Sequence, residues 1–139
     1  MAEVFTKNFH IVEKAKPHSC KSFVLAKWEP ETEHRIIGVQ FGLLCILGID
    51  WELYINVSRT PNLEPQKFFV GLKKEYLFYA QRDAYHKPSG INDILVTEFL
   101  PCGSFFVVSK DNPVYVKVGV ENKLGEAFEY DAFACLYYE

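Results

Sequence analysis

The sequence predicts an all-β chain folded as one antiparallel domain, a sandwich or barrel of about nine or ten strands. Three observations lead there. In Val114-Tyr115-Val116-Lys117-Val118-Gly119-Val120-Glu121 every second residue is valine. A strand alternates its side chains between two faces, so one face is all valine, whereas a helix would scatter the valines around its axis. The same two-residue period recurs along the chain in short segments closed by Pro, Gly, Asn and Asp. Eight Tyr, twelve Phe and two Trp among 139 residues favour strands, and no long helical face exists.

Taken in order, Val4 to Lys14 is a first strand, ended by Lys16-Pro17. Cys20 to Trp28 is a second, with Phe23, Leu25 and Lys27 on one face and Val24, Ala26 and Trp28 on the other. A charged loop, Glu29 to Glu33, leads into a third strand, His34 to Gly42. Leu43 to Ile49 is helix or strand by periodicity, and its length and flanking glycines favour a separate buried strand. After Asp50, Trp51 to Val57 has a clean apolar face on its odd positions. Ser58 to Gln66 carries two prolines and reads as an exposed loop. Lys67 to Leu72 and Glu75 to Ala80 are short strands around Lys73-Lys74.

Gln81 to Asn92 is the longest polar stretch, centred on Lys87-Pro88-Ser89-Gly90. Loops of this length in a compact domain are functional or mobile. Ile94 to Leu100 and Phe105 to Ser109 are strands split by Pro101-Cys102-Gly103-Ser104. The valine strand then turns at Asn122-Lys123-Leu124-Gly125 into Glu126 to Tyr138. There Phe128, Tyr130, Ala132, Ala134, Leu136 and Tyr138 share a face, and the pair reads as a β-hairpin closing the fold.

Length and composition bound the rest. With 49% hydrophobic residues, 139 residues make one domain, 1–139, with a core that needs no staple. A net charge of −3 and singly scattered Lys and Arg argue against nucleic acid. The apolar run from Ile36 to Ile49 is too short and too glycine-broken to span a bilayer. Met1 to Lys7 lacks the basic start and apolar core of a signal peptide, so cytosolic synthesis is expected, or a fragment or viral product needing no signal. Cys20, Cys45, Cys102 and Cys135 form no C-x-x-C pair, so a paired-cysteine zinc site has no support. Cys45 and Cys135, inside apolar strands, are expected as free buried thiols. Asn56-Val57-Ser58 is a single glycosylation triplet.

No cofactor or metal is implied by any motif, and no catalytic residue stands out. His18 and Cys20, two apart, would share a strand face and could pair as base and thiolate. A loop histidine before a strand cysteine is the favoured reading of the two. Binding has the better support: aromatics with polar tips bracket the 81–92 loop, and Tyr79, Arg82, Tyr85, His86 and Asn92 are the candidate contact residues. Core packing is the competing use of these aromatics. Tyr115, Phe133 and Tyr137 lie off the main apolar faces of the last two strands. They are the candidate interface residues of a self-associating protein, unless a second sheet covers them within the monomer.

The ending Phe133-Ala134-Cys135-Leu136-Tyr137-Tyr138 resembles the last strand of complement-type and tumour-necrosis-factor-like globular heads. Val114 to Val120 is similar to their penultimate strand, Leu100-Pro101-Cys102-Gly103 to the turn before it, and Gly48 to Tyr54 to their central strand. Cys135 stands where those families have glycine and Ser104 where they have aspartate. Viral fibre heads and capsid jelly rolls end in similar strands. The resemblance implies an antiparallel β-sandwich of jelly-roll type, commonly a homotrimer, that binds a receptor or glycan through loops. The resulting expectation is a non-enzymatic recognition module with ligand contacts from 58–66 and 81–92. A viral structural protein is the first alternative, and a small cytosolic enzyme or barrel-type ligand binder the second.

Overall fold

The computed structural model describes residues 3–45, 51–63, 76–84 and 92–139. Nine strands run through them: β1 (Phe5–Ala15), β2 (Ser19–Trp28), β3 (His34–Cys45), β4 (Trp51–Ser58), β5 (Tyr76–Ala84), β6 (Asn92–Phe99), β7 (Phe106–Val108), β8 (Val114–Asn122) and β9 (Phe128–Tyr138). They form two antiparallel sheets stacked as a sandwich. The first has the order β1-β9-β3-β6, and β7 pairs with the start of β3; the second has the order β2-β8-β4-β5. The chain changes sheet at every connection except β4 to β5 and β6 to β7, which is the jelly-roll winding. No helix of the described residues is long and apolar enough to cross a membrane.

The core follows the alternation read from the sequence. Val114, Val116, Val118 and Val120 of β8 are buried, as are Trp51, Leu53, Ile55 and Val57 of β4. From the first sheet come Ile36, Val39, Phe41 and Leu43, with Tyr130, Ala132, Ala134 and Leu136 of β9. Aromatics close the two ends. Trp28 stacks on His34 and meets Tyr138 edge-on at one end, while Trp51 packs against Phe128 at the other.

Three sequence expectations change. The last two strands are not a hairpin, because β8 belongs to the second sheet and β9 to the first. Alternation reports which face is buried, not which strand lies alongside. Two apolar faces can be satisfied side by side or by closing on each other, and here the 123–127 turn crosses the core. Leu43 to Cys45 continue β3 rather than opening a separate strand, paired without a break to β6 and β9. Residues 46–49 and the expected strand at 67–72 lie outside the described residues. Gln81 to Ala84 extend β5, paired to Trp51–Tyr54, so the polar loop begins later than its composition suggested. The short β7 takes the edge of β3 at 34–36, where β6, paired to 38–45, has ended.

The crossing turn is tied down by Asn122, itself buried. Its Nδ2 donates to the carbonyls of Ala15 (3.2 Å), Lys16 (3.1 Å) and Glu126 (2.9 Å), and its Oδ1 accepts from Leu124 N at 2.8 Å. One side chain thereby joins the β1–β2 turn to the β8–β9 turn. Asn122→Ala should lower stability by about 3 kcal/mol, since it orphans buried backbone groups at both turns. A lower urea midpoint with an unchanged slope checks this.

Candidate interaction surface

Because β9 sets its even-numbered residues into the core, Asp131, Phe133, Cys135 and Tyr137 stand on the outside of the first sheet. Strand register extends that face in rows. Thr6, Tyr137, Gly38 and Phe99 lie abreast, then Asn8, Cys135, Gln40 and Thr97, then His10, Phe133, Gly42 and Leu95. These rows contain no Lys, Arg, Asp or Glu. Leu95 is 64% exposed and Phe99 54%, while Phe133 and Tyr137 are half-buried.

Glycine shapes the surface. The Phe133 ring lies flat over Gly42 and the Phe99 ring over Gly38, each aromatic being the glycine's register partner on the next strand; a Cβ at either glycine would fall within the ring's contact shell. Tyr137 packs on Phe99 with centroids 5.0 Å apart. An open depression of about 370 Å3 lies between Phe133 and Leu95, bordered also by His10, Gly42, Leu44 and Asp131. His10 Nε2 stands 3.4 Å from Asp131 Oδ1, and Gln40 Nε2 donates to Thr97 Oγ1 at 3.2 Å. Burial pushes the Cys135 thiol up, against an opposing hydrogen bond with Tyr137.

The opposite outer face is different. Tyr54, Asn56, Ser58 and Lys117 of the second sheet are wholly buried. Tyr54 lies over Gly119, and Lys117 Nζ donates to the Asn62 carbonyl at 2.6 Å, so the 59–63 segment crosses this face. The Asn56 amide is buried there with neither its nitrogen nor its oxygen hydrogen-bonded.

The sequence-derived residues divide between these surfaces. Phe133 and Tyr137 share the first outer face, whereas Tyr115 stands on the other, half-buried, with Lys27 Nζ 5.7 Å from its ring centroid. Tyr79 is exposed on the second sheet, its ring 5.4 Å from that of Tyr76. In the backbone register Arg82 of β5 pairs with Leu53, and Asn92 pairs with Cys45 at the start of β6 in the first sheet. Tyr85 and His86 lie outside the described residues. Leu95, Phe99 and the His10–Asp131 pair escaped the sequence reading. Their signal was β6 itself, where the alternation sets apolar Leu95 and Phe99 on one face with Thr97.

His18 and Cys20 border one shallow depression together with Glu121. His18 sits in a turn with φ of 48° and its N–H donates to the Leu124 carbonyl. Burial and then the Glu121 carboxylate push the Cys20 thiol up to about 11. Cys45 and Cys135 are buried, Cys20 is half-buried and Cys102 is exposed. Among the described residues no group of three His, Cys, Asp or Glu is placed to hold a metal ion.

No family model matches this sequence, and no curated protein does. Three solved structures of infectious bursal disease virus superpose along nearly the whole chain. The Gx strain is 8% identical with a TM-score of 0.42 over 99% of this chain, and the Gt strain 10% identical with a TM-score of 0.44 over 98%. The VP2 subviral particle is 8% identical with a TM-score of 0.42 over 98% of this chain. The chain spans about a third of the length of each, at 32%, 31% and 32%. None of the three is a complement-type or tumour-necrosis-factor-like head.

A raised pKa means the folded state holds the Cys20 proton more tightly than the unfolded chain, whose thiol ionises near 9. Its contribution to stability is therefore complete below pH 9 and is lost as pH rises toward 11. At pH 8 the Cys20 thiol is therefore held in its protonated form. Iodoacetamide should alkylate Cys102 first and Cys20 far more slowly, and Glu121→Gln should speed Cys20 several-fold, read by peptide mass spectrometry.

Proposed function

We propose that the chain is a structural assembly module: a jelly-roll domain that packs against further copies of itself, as subunits of a viral coat or fibre head do. The contact is the outer face of the first sheet. The observation carrying this reading is the uncharged apolar surface of Leu95, Phe99, Phe133 and Tyr137. Contiguous exposed apolar patches mark interaction sites. The three rows carry no charge, and Asp131 at their margin stands against His10, so the patch selects neither an acidic nor a basic partner, yet it matches another copy of itself. That match serves a two-fold pair or, as the C-terminal resemblance implies, a ring of three.

The strand order lends general support, since viral capsid and lectin domains share the jelly roll. Architecture by itself does not assign a role. Recognition of a receptor or glycan through 58–66 and 81–92 is the second reading, favoured by the exposed Tyr79 beside Tyr76.

Light scattering on the purified chain tests the first reading. Multimers should form with rising concentration, and Leu95→Asp should weaken them about tenfold or more while the circular dichroism spectrum stays the same. A chain that remains monomeric at millimolar concentration overturns the assembly reading. Binding to immobilised glycans that Tyr79→Ala abolishes would move the assignment to the second.

A further inference from the structure

Each sheet of an open sandwich ends in edge strands whose outward N–H and C=O groups can template a further strand, and proteins blunt such edges with bulges, prolines or charge. Two of the four edges are blunted by irregularity. β2 shifts register between Val24 and Ala26, and β5 shifts opposite Val57 and Ser58. β1 is not. It pairs with β9 through all eleven of its residues without a shift, contains neither proline nor glycine, and has no strand on its other side among the described residues. Its residues are exposed at 5–8, 10, 12 and 14, with Phe5 at 47% and Val12 at 51%. Phe9 and Ile11, which face inward, are only partly covered, so the core is open along this side.

We infer that β1 docks a second copy of this chain: the free edge of β1 pairs antiparallel with β1 of the copy about a two-fold axis at His10, joining the two first sheets into one. The choice of occupant and register rests on charge. With His10 opposite its own copy, Lys7 falls opposite Glu13 on both sides of the axis and Phe9 opposite Ile11. Such directly opposed pairs stabilise a ladder. A slip of one residue would set inward positions against outward ones. A slip of two in either sense sets Lys7 against Ile11 or Ala15 and Glu13 against Phe5 or Phe9, which removes both ion pairs. β6, the remaining edge, carries Asp93 and Glu98 and no Lys or Arg, so it offers no such match to itself.

Glu13 has room for the new partner. Its Oε1 takes Lys21 and its Oε2 stands 3.4 Å from the Tyr130 hydroxyl, while a carboxylate offers about four acceptor sites. Lys7 sits in solvent with its Nζ 5.9 Å from the Phe9 ring centroid. The edge contact is separate from the outer-face contact proposed above, and the test keeps them apart by working in a Leu95→Asp background.

In that background the chain should still dimerise. Lys7→Glu and Glu13→Lys should each weaken the dimer about tenfold, since each turns two attractive pairs into two repulsive ones. An equimolar mixture of the two variants should associate as the parent does, because both pairs then join opposite charges again. A mixture no tighter than either variant alone overturns the inference. A cross-link at the axis guards against misfolding of the charge variants. In a Cys102→Ser chain, His10→Cys should oxidise to a covalent dimer, whereas Asn8→Cys, which would face Val12 of the copy, should not. Equal cross-linking at both positions, or none at His10→Cys, also refutes the register.

Discussion

The valine row of β8 and the row Tyr130, Ala132, Ala134 and Leu136 of β9 close on each other across the core, and the rest of the structure hangs from that contact. Each of these strands is interior to its own sheet. β8 holds β2 and β4, and β9 holds β1 and β3. β1 and β2 have no other strand partner among the described residues, so the first part of the chain is placed by the last. Small side chains on β9 let the sheets approach, while valines opposite them fill the space without polar atoms. The turn between the two strands must cross the sandwich, and Asn122 supplies the hydrogen bonds that a crossing segment lacks.

Once both sheets have turned their best apolar faces inward, their outer faces meet different fates. The second sheet is overlaid by its own chain at 59–63, which permits a buried lysine and a buried asparagine beneath. The first sheet receives no such cover among the described residues. Its glycines are covered only by neighbouring aromatics, a local repair that removes exposed backbone yet leaves Phe99, Phe133 and Leu95 at the surface. A repaired, neutral and apolar face is chemically suited to a like face, and that suitability connects the packing of the monomer to a role in assembly.

The edges obey a related logic. Bulges twist β2 and β5 away from further pairing, whereas β1 keeps an even ladder with β9 and an open inward side. The exposed residues of β1 and those of the first outer face lie on the same sheet. Association through the edge would lengthen that sheet, and association through the face would stack it. The two contacts are geometrically compatible because one uses backbone groups at the side of the sheet and the other uses side chains on its surface.

What the sequence determined by itself was the alternation: all-β character, the inward rows of β4, β8 and β9, the turns at 16–18 and 101–104, and that Phe133 and Tyr137 stand outside. These follow from a period of two and from turn chemistry, both local properties of the chain. Only the tertiary structure decided that β8 and β9 lie in different sheets, that Tyr115 is therefore on the far side from Phe133 and Tyr137, and that Leu95 and Phe99 join the latter pair. The physical reason is that alternation specifies a face while strand partnership depends on which distant segments arrive alongside, and residues 40 to 130 positions apart carry no local mark of meeting.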